Sequence, residues 1–431
     1  MVVVGALSLV APSARGFIID PNAAAPWLST ASGSRTGNGA PATLTWSIVP
    51  DGTSTINADG LTTASSNLVA FMNSNFNGNA AQTDLTLQPW FRLFQNSFDR
   101  WAQLGGVNYV YEPHDDGSSH PGLSGALGVR GDVRIGGVNV DGAGGTLAFT
   151  YLPAGGGDMV VDTGDGVYFK DSINDFRGFR DTIMHEIGHS FGMQHVNSNS
   201  ELLLESVTNT NFDGPQLDEV RAVQYYFGDV NEKSHSGAGN GAASLATTLG
   251  AIASGGTRSV GAAANVPTQA IAGTATDFVS ISNAGDVDFY SFTVSAASRL
   301  AATLTPRGGV FDQAGQGQTP TTFDANARNN LALTLIDSSG TNVLGTADAT
   351  LAGGMESFVN LVLPSAGTYY ARVSGADPNI QLYELSLTPT TFAAPEPATG
   401  GMAFVIAAVL VRRQRDRAAN GVLRRGLERL P

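Results

Sequence analysis

Three of the chain's six histidines fall within eleven residues, His185-Glu186-Ile187-Gly188-His189-Ser190-Phe191-Gly192-Met193-Gln194-His195. On a helix, positions i and i+4 share a face, so His185 and His189 can offer two imidazole nitrogens to one zinc ion. Glu186, beside the first of them, is free to act as a general base. Gly192 has no Cβ and can take the left-handed conformation that ends a helix, turning the chain so that His195 arrives as third ligand. Three protein ligands leave a fourth position for water, the mark of a catalytic rather than a structural zinc site. Ile183, Ile187 and Phe191 form an apolar stripe at helical spacing. A plain core helix would account for that stripe but not for the histidines on the other face.

These residues resemble the elongated motif of the metzincin zinc metallopeptidases, and within them the matrixins. The run Asp218-Glu219-Val220-Arg221-Ala222-Val223-Gln224-Tyr225-Tyr226-Phe227-Gly228 resembles the closing helix of matrixins. The runs Asp132-Val133-Arg134-Ile135 and Thr146-Leu147-Ala148-Phe149-Thr150-Tyr151-Leu152 resemble the two strands that precede the active-site helix. The resemblance implies an α+β fold, a metzincin-like domain with a twisted mixed sheet and three main helices. It implies a catalytic Zn2+ and a peptide substrate lying extended along Thr146, Leu147 and Ala148 as an added strand. Matrixins also carry a second, structural zinc, but Val160 stands where one of its histidines belongs, so that site is expected to be missing. Asp141, Asp162 and Asp165 remain as oxygen donors suited to Ca2+, and solvated turn aspartates explain them equally well. The methionine turn is altered too: Leu204 stands where the family has Met.

The elements that position the motif are legible in the patterning. Thr43 to Pro50 alternates as an entry strand. Trp90, Phe91, Phe94, Phe98, Trp101 and Leu104 recur at three- and four-residue steps, predicting a core-facing helix over 89–104. Short strands are expected around 107–111, 129–135 and 146–152. Asp171 to Asp175 supplies N-cap candidates for the histidine helix, and Asp213-Gly214-Pro215 a cap for the last one, which Gly228 ends.

The remainder divides as follows. Residues 1–16 open with an apolar run and read as a signal peptide, though without a basic n-region. Residues 17–41, rich in Ala, Ser, Gly and Asn, read as a loose leader, and 42–230 as the metallopeptidase domain. Residues 231–266 read as a linker. In 267–390, alternating strands at Asp286–Val294, Leu331–Ile336, Gly367–Val373 and Leu382–Leu387 predict an antiparallel β-sandwich. Its openings resemble the bacterial pre-peptidase C-terminal domain, in which Asp286 and Asp288 start a strand or bind calcium. In 391–431, Pro395-Glu396-Pro397, a short apolar run from Met402 to Val411 and Arg412-Arg413-Gln414-Arg415 resemble the PEP-CTERM sorting signal of Gram-negative bacteria. That resemblance implies a sortase-like processing enzyme and transient or permanent anchoring in the inner membrane through a short transmembrane segment.

The net charge of −14 argues against nucleic acid as a partner. No cysteine is present, which excludes disulfides, thiolate zinc ligands and latency through a cysteine–zinc plug. The reading is an exported zinc endopeptidase acting at the cell surface or outside it, with Glu186 as base. The alternative is a non-catalytic surface or biofilm-matrix protein that keeps the fold.

Overall fold

The structure, a computed structural model, describes residues 16–19, 26–198, 202–206 and 210–392. The signal-peptide region and the Pro-Glu-Pro tail lie outside the described residues, as does the apolar run from Met402. Among the described residues no helix is long and apolar enough to cross a membrane.

The first half is built on a five-stranded sheet. Strands β1 (Ala42–Ile48), β2 (Val107–Tyr111), β3 (Val133–Val138), β4 (Ala148–Thr150) and β5 (Met159–Asp162) lie in the order β2-β1-β3-β5-β4. β1 pairs in parallel with β2 and β3, and β3 with β5; only the edge strand β4 runs antiparallel, against β5. This is the mixed sheet expected. The helices α1 (Leu68–Asn75), α2 (Phe91–Leu104), α3 (Arg177–Ser190) and α4 (Leu217–Phe227) accompany it. The α2 stripe packs as its spacing requires: Trp46 of β1 stacks on Phe91 and Phe98, with ring centroids 5.4 and 4.6 Å apart. Trp101 donates Nε1–H to Met184 O at 2.9 Å and meets Phe191 edge-on, tying α2 to α3.

The second half is a sandwich of two sheets around its own apolar core. Its strands are β7 (Thr247–Ala251), β8 (Arg258–Val260), β9 (Val279–Ile281), β10 (Val287–Val294), β11 (Ser298–Arg307), β14 (Leu331–Ile336), β15 (Val343–Ala347), β16 (Glu356–Leu363), β17 (Gly367–Gly375) and β18 (Gln381–Thr391). One sheet runs β7-β10-β17-β14-β15 and the other β8-β18-β11-β16, with β9 also on β18. β7 pairs with β10 in parallel, while β8–β18, β9–β18, β10–β17, β11–β16, β14–β15 and β14–β17 are antiparallel. A third, small sheet joins β6 (Val196–Ser198) from the first half to a hairpin of the second, β12 (Val310–Gly315) and β13 (Thr321–Asp324).

Two low-complexity stretches are more structured than their composition implies. The linker expected over 231–266 contributes β7 and β8 to the sandwich. The described parts of the leader expected over 17–41 pack on the first half. Phe17 is fully buried against Tyr225, Trp27 donates to Ser190 O at 2.8 Å, and Arg35 donates to Tyr226 O at 2.6 Å. A few bulky or forked side chains hold a segment that small residues alone would leave loose. Contacts join the two halves into one compact unit ending at Thr390.

Candidate metal centre

The helix α3 buries Ile183 and Ile187 and presents His185 and His189 on another face. Its N-terminus corrects the expected cap: the N-cap is Phe176, with no side-chain hydrogen bond. Asn174, Asp175 and Phe176 all take positive φ, and Arg180 secures this entry through the carbonyls of Asn174 and Asp175. Past Ser190, Gly192 takes φ +108°, as the missing Cβ allows, and Tyr226 Oη donates to its carbonyl at 3.2 Å. The chain then brings His195 back to the helix.

The three imidazoles converge. Their Nε2 atoms lie 3.0 Å (His185–His189), 3.1 Å (His185–His195) and 3.2 Å (His189–His195) apart. Nitrogens about 2.0–2.1 Å from one tetrahedral zinc would lie about 3.3 Å apart, so the donor set fits that ion. The outward nitrogens are anchored: His185 Nδ1 on Leu203 O and His189 Nδ1 on Met193 O, both at 2.7 Å. Those carbonyls accept the Nδ1 proton and so turn the Nε2 lone pairs toward the common centre. Burial holds all three rings neutral: His189 is pushed down to about 4, and His185 and His195 are lowered as well. Neutral, inward-facing imidazoles are the metal-binding form.

Glu186 is buried, and burial pushes its carboxyl up to about 8. Its Oε2 has no hydrogen-bond partner among the described residues. An orphaned buried carboxylate oxygen beside a metal-type donor set is the feature a water-activating base would show. Thr150, the last residue of the edge strand β4, is its polar neighbour.

Beneath the histidines lies the altered methionine turn. Leu204 is fully buried, and a Cβ on Gly188 would meet its side chain at 3.0 Å. Glu219 holds this turn, accepting from Leu204 N at 3.2 Å and from Gln216 N at 2.8 Å. The second contact closes a capping box, so Gln216, not Asp213, caps α4. Asp213 instead pairs with Arg180 at 2.6 Å. Gly228 ends α4 with φ +74°, as expected. Nothing in its motif marked Glu219 as the support of this turn, although Glu three residues after a capping amide is a readable signal.

The other sequence candidates separate. Ala148 lies on the edge strand β4, and Thr146 and Leu147 just before it. Asp162 accepts backbone N–H bonds from Val140, Asp141 and Gly164; Asp141 accepts from Thr146 and Asp165 from Gly144. Loop amides therefore bind each of these carboxylates, and Asp165 Oδ2 is left buried without a partner. They are not among the groups whose ligand atoms all fall within 4.8 Å of one another; among the described residues, those are the histidine trio and Glu232, Asp286 and Asp288. Asp288 is fully buried with Oδ1 unpartnered, while Oδ2 accepts from Tyr383 Oη at 2.5 Å. Sequence reading paired Asp286 with Asp288 but missed Glu232 and the adjoining Asp229.

Two family models match stretches of the chain. Residues 76–228 match the Matrixin family and residues 286–375 the Bacterial pre-peptidase C-terminal domain. A curated relative, "Putative matrix metalloproteinase" of Spodoptera frugiperda ascovirus 1a, is 25% identical over 153 residues, which is 32% of this chain. The match spans 38% of that relative's length. A solved structure, the pre-peptidase C-terminal domain of collagenase from Bacillus anthracis, is 17% identical, with 33% of this chain and 96% of that one covered at a TM-score of 0.21. The two matched stretches are thus a matrixin domain and, after it, a bacterial pre-peptidase C-terminal domain.

Proposed function

We propose that the protein is an exported zinc-dependent endopeptidase. His185, His189 and His195 would hold the ion, and Glu186 would serve as general base. The observation that carries this reading is the convergence of three anchored Nε2 atoms within 3.0–3.2 Å of one another, next to the unpartnered Glu186 Oε2. Zinc, when bound, supplies Lewis acidity and lowers the pKa of a bound water. Glu186, in its ionised form, accepts the proton of the attacking water at Oε2 and returns it to the leaving amine. The edge strand β4 has a free hydrogen-bonding side on which an extended peptide can add as a further strand. Such a peptide passes Thr146, Leu147 and Ala148 and reaches the Glu186 side of the site near Thr150.

A non-catalytic surface protein would need no carboxylate with an unpartnered oxygen at this position, and that separates the two readings. Protein digestion by wild type and Glu186→Gln at equal zinc occupancy tests it. Loss of cleavage in the variant alone supports the enzyme; no cleavage by either supports the scaffold.

For calcium we favour Glu232, Asp286 and Asp288 over Asp141, Asp162 and Asp165. Among the described residues the first set brings its ligand atoms within 4.8 Å of one another and the second does not; a buried unpartnered oxygen is found in both, Asp288 Oδ1 and Asp165 Oδ2. Export and processing at the C-terminal tail are part of the same proposal; they rest on the sequence patterns outside 16–392.

A further inference from the structure

The three histidines are not held alike. His185 and His189 share a helix, and each has its outer nitrogen on a backbone carbonyl of the catalytic half. His195 lies beyond Gly192, off the helix. The side chain of Gln316, in the turn between β12 and β13 of the second half, is the polar neighbour of the His195 ring.

Strand register explains this meeting. β6 begins immediately after His195 and pairs antiparallel with β12, placing Val196 opposite Gly315, Asn197 opposite Ala314 and Ser198 opposite Gln313. One further step of the same register sets His195 opposite Gln316. Side chains reinforce the pairing: Asn197 Nδ2 donates to Gln318 O at 2.7 Å and Ser198 Oγ to Asp312 O at 2.5 Å. The hairpin is fixed from behind as well. Phe311 and Phe323 meet edge-on, ring centroids 5.6 Å apart, in the core of the first half, and the Arg221 guanidinium of α4 lies 5.2 Å from the Phe323 ring.

We propose that Gln316 is a positioning residue for the third metal ligand, so that the β-sandwich half is a structural member of the metal centre. Its amide oxygen does for His195 what the two backbone carbonyls do for the other histidines: it accepts the outer N–H and leaves Nε2 facing the centre. Backbone bonds hold the segment on either side of that ring, Gln194 N on Ile18 O at 3.0 Å and Val196 N on Leu204 O at 2.9 Å; the hairpin adds a constraint on the ring itself. This inference rests on the zinc reading above.

The test uses the full chain. Zinc affinity is measured by competition with a chromophoric chelator for wild type, Gln316→Leu and Gln316→Glu, alongside thermal unfolding of each protein freed of metal. Loss of an outer partner weakens metal binding about 10–100-fold, which is the result expected for Gln316→Leu. Gln316→Glu keeps an acceptor and should stay near wild-type affinity. Should Gln316→Leu also lower the metal-free melting temperature, Gln316→Glu decides, because it keeps the hydrogen bond in a folded chain. Wild-type affinity in Gln316→Leu, or equal loss in both variants, would overturn the assignment while leaving the zinc reading intact. A wild-type protein that binds no zinc would remove that reading itself.

Discussion

Two clusters of convergent donors, the imidazoles of His185, His189 and His195 and the carboxylates of Glu232, Asp286 and Asp288, meet burial in opposite ways. Burial drives a histidine to its neutral form, so three rings can be packed Nε2 to Nε2 with no net charge between them. The carboxylates have no such exit except to take up protons. Burial and mutual repulsion push Glu232 up to about 8 and Asp229, beside them, up to about 7; Asp286 and Asp288 are raised too. The first cluster is therefore preformed for the zinc proposed there, whereas the second is strained until a cation or protons arrive. The surroundings differ as well: one cluster flanks Glu186 with its unpartnered Oε2, the other sits where the first half meets the sandwich.

The largest effect expected is on catalysis. Glu186→Gln should lower peptide hydrolysis by about 10²–10⁴-fold while zinc content, read by atomic absorption, stays near one per chain. Retained activity would break the contrast, since the first cluster would then lack its base. Next, His189→Ala should abolish stoichiometric zinc, whereas Asp288→Asn should leave zinc bound and lose the response to calcium. Calcium at about a hundred times its dissociation constant should stabilise the wild type by about 2.7 kcal/mol, seen as a rise in melting temperature.

A pH series sharpens the same point. The folded-state pKa values of Glu232 and Asp229 are raised, so below the ordinary carboxylate range their contribution to stability is fully present. It is lost as pH rises through about 7 and 8, because the unfolded chain has by then released protons that the folded chain must give up at a cost. Melting temperatures without metal should fall across pH 4–8, and calcium should flatten the curve. A curve that climbs over this range would contradict the electrostatics of the cluster. The smallest effect is expected for Leu204→Met, a near-isosteric change costing less than about 1.5 kcal/mol, with kcat/KM nearly unchanged.

The contrast extends to what could be read in the sequence. His185, Glu186, His189 and His195 lie within eleven residues, and helical spacing plus one glycine turn suffices to bring them together. The α2 stripe, the edge strand before the motif and the alternating strands of the sandwich were legible for the same reason: period reports local geometry. Glu232 and Gln316 were not legible, because each reaches its site only through the docking of the two halves. Docking is a sum of many side-chain contacts with no period to read. Caps failed for a nearer reason. Asp213 had the right type to cap α4, but Arg180 captures it, and Gln216 forms the capping box with Glu219. Composition misjudged residues 17–41 and the linker, where Phe17, Trp27 and Arg35 outweigh many small neighbours.

The most direct test of the central claim is diffraction from the zinc-loaded protein with data collected at the zinc absorption edge. The account predicts one strong anomalous peak bonded to Nε2 of His185, His189 and His195 at about 2.0–2.1 Å, with Glu186 adjacent but not bonded to the metal. A peak elsewhere, or three histidines that leave the ion unligated, would contradict it.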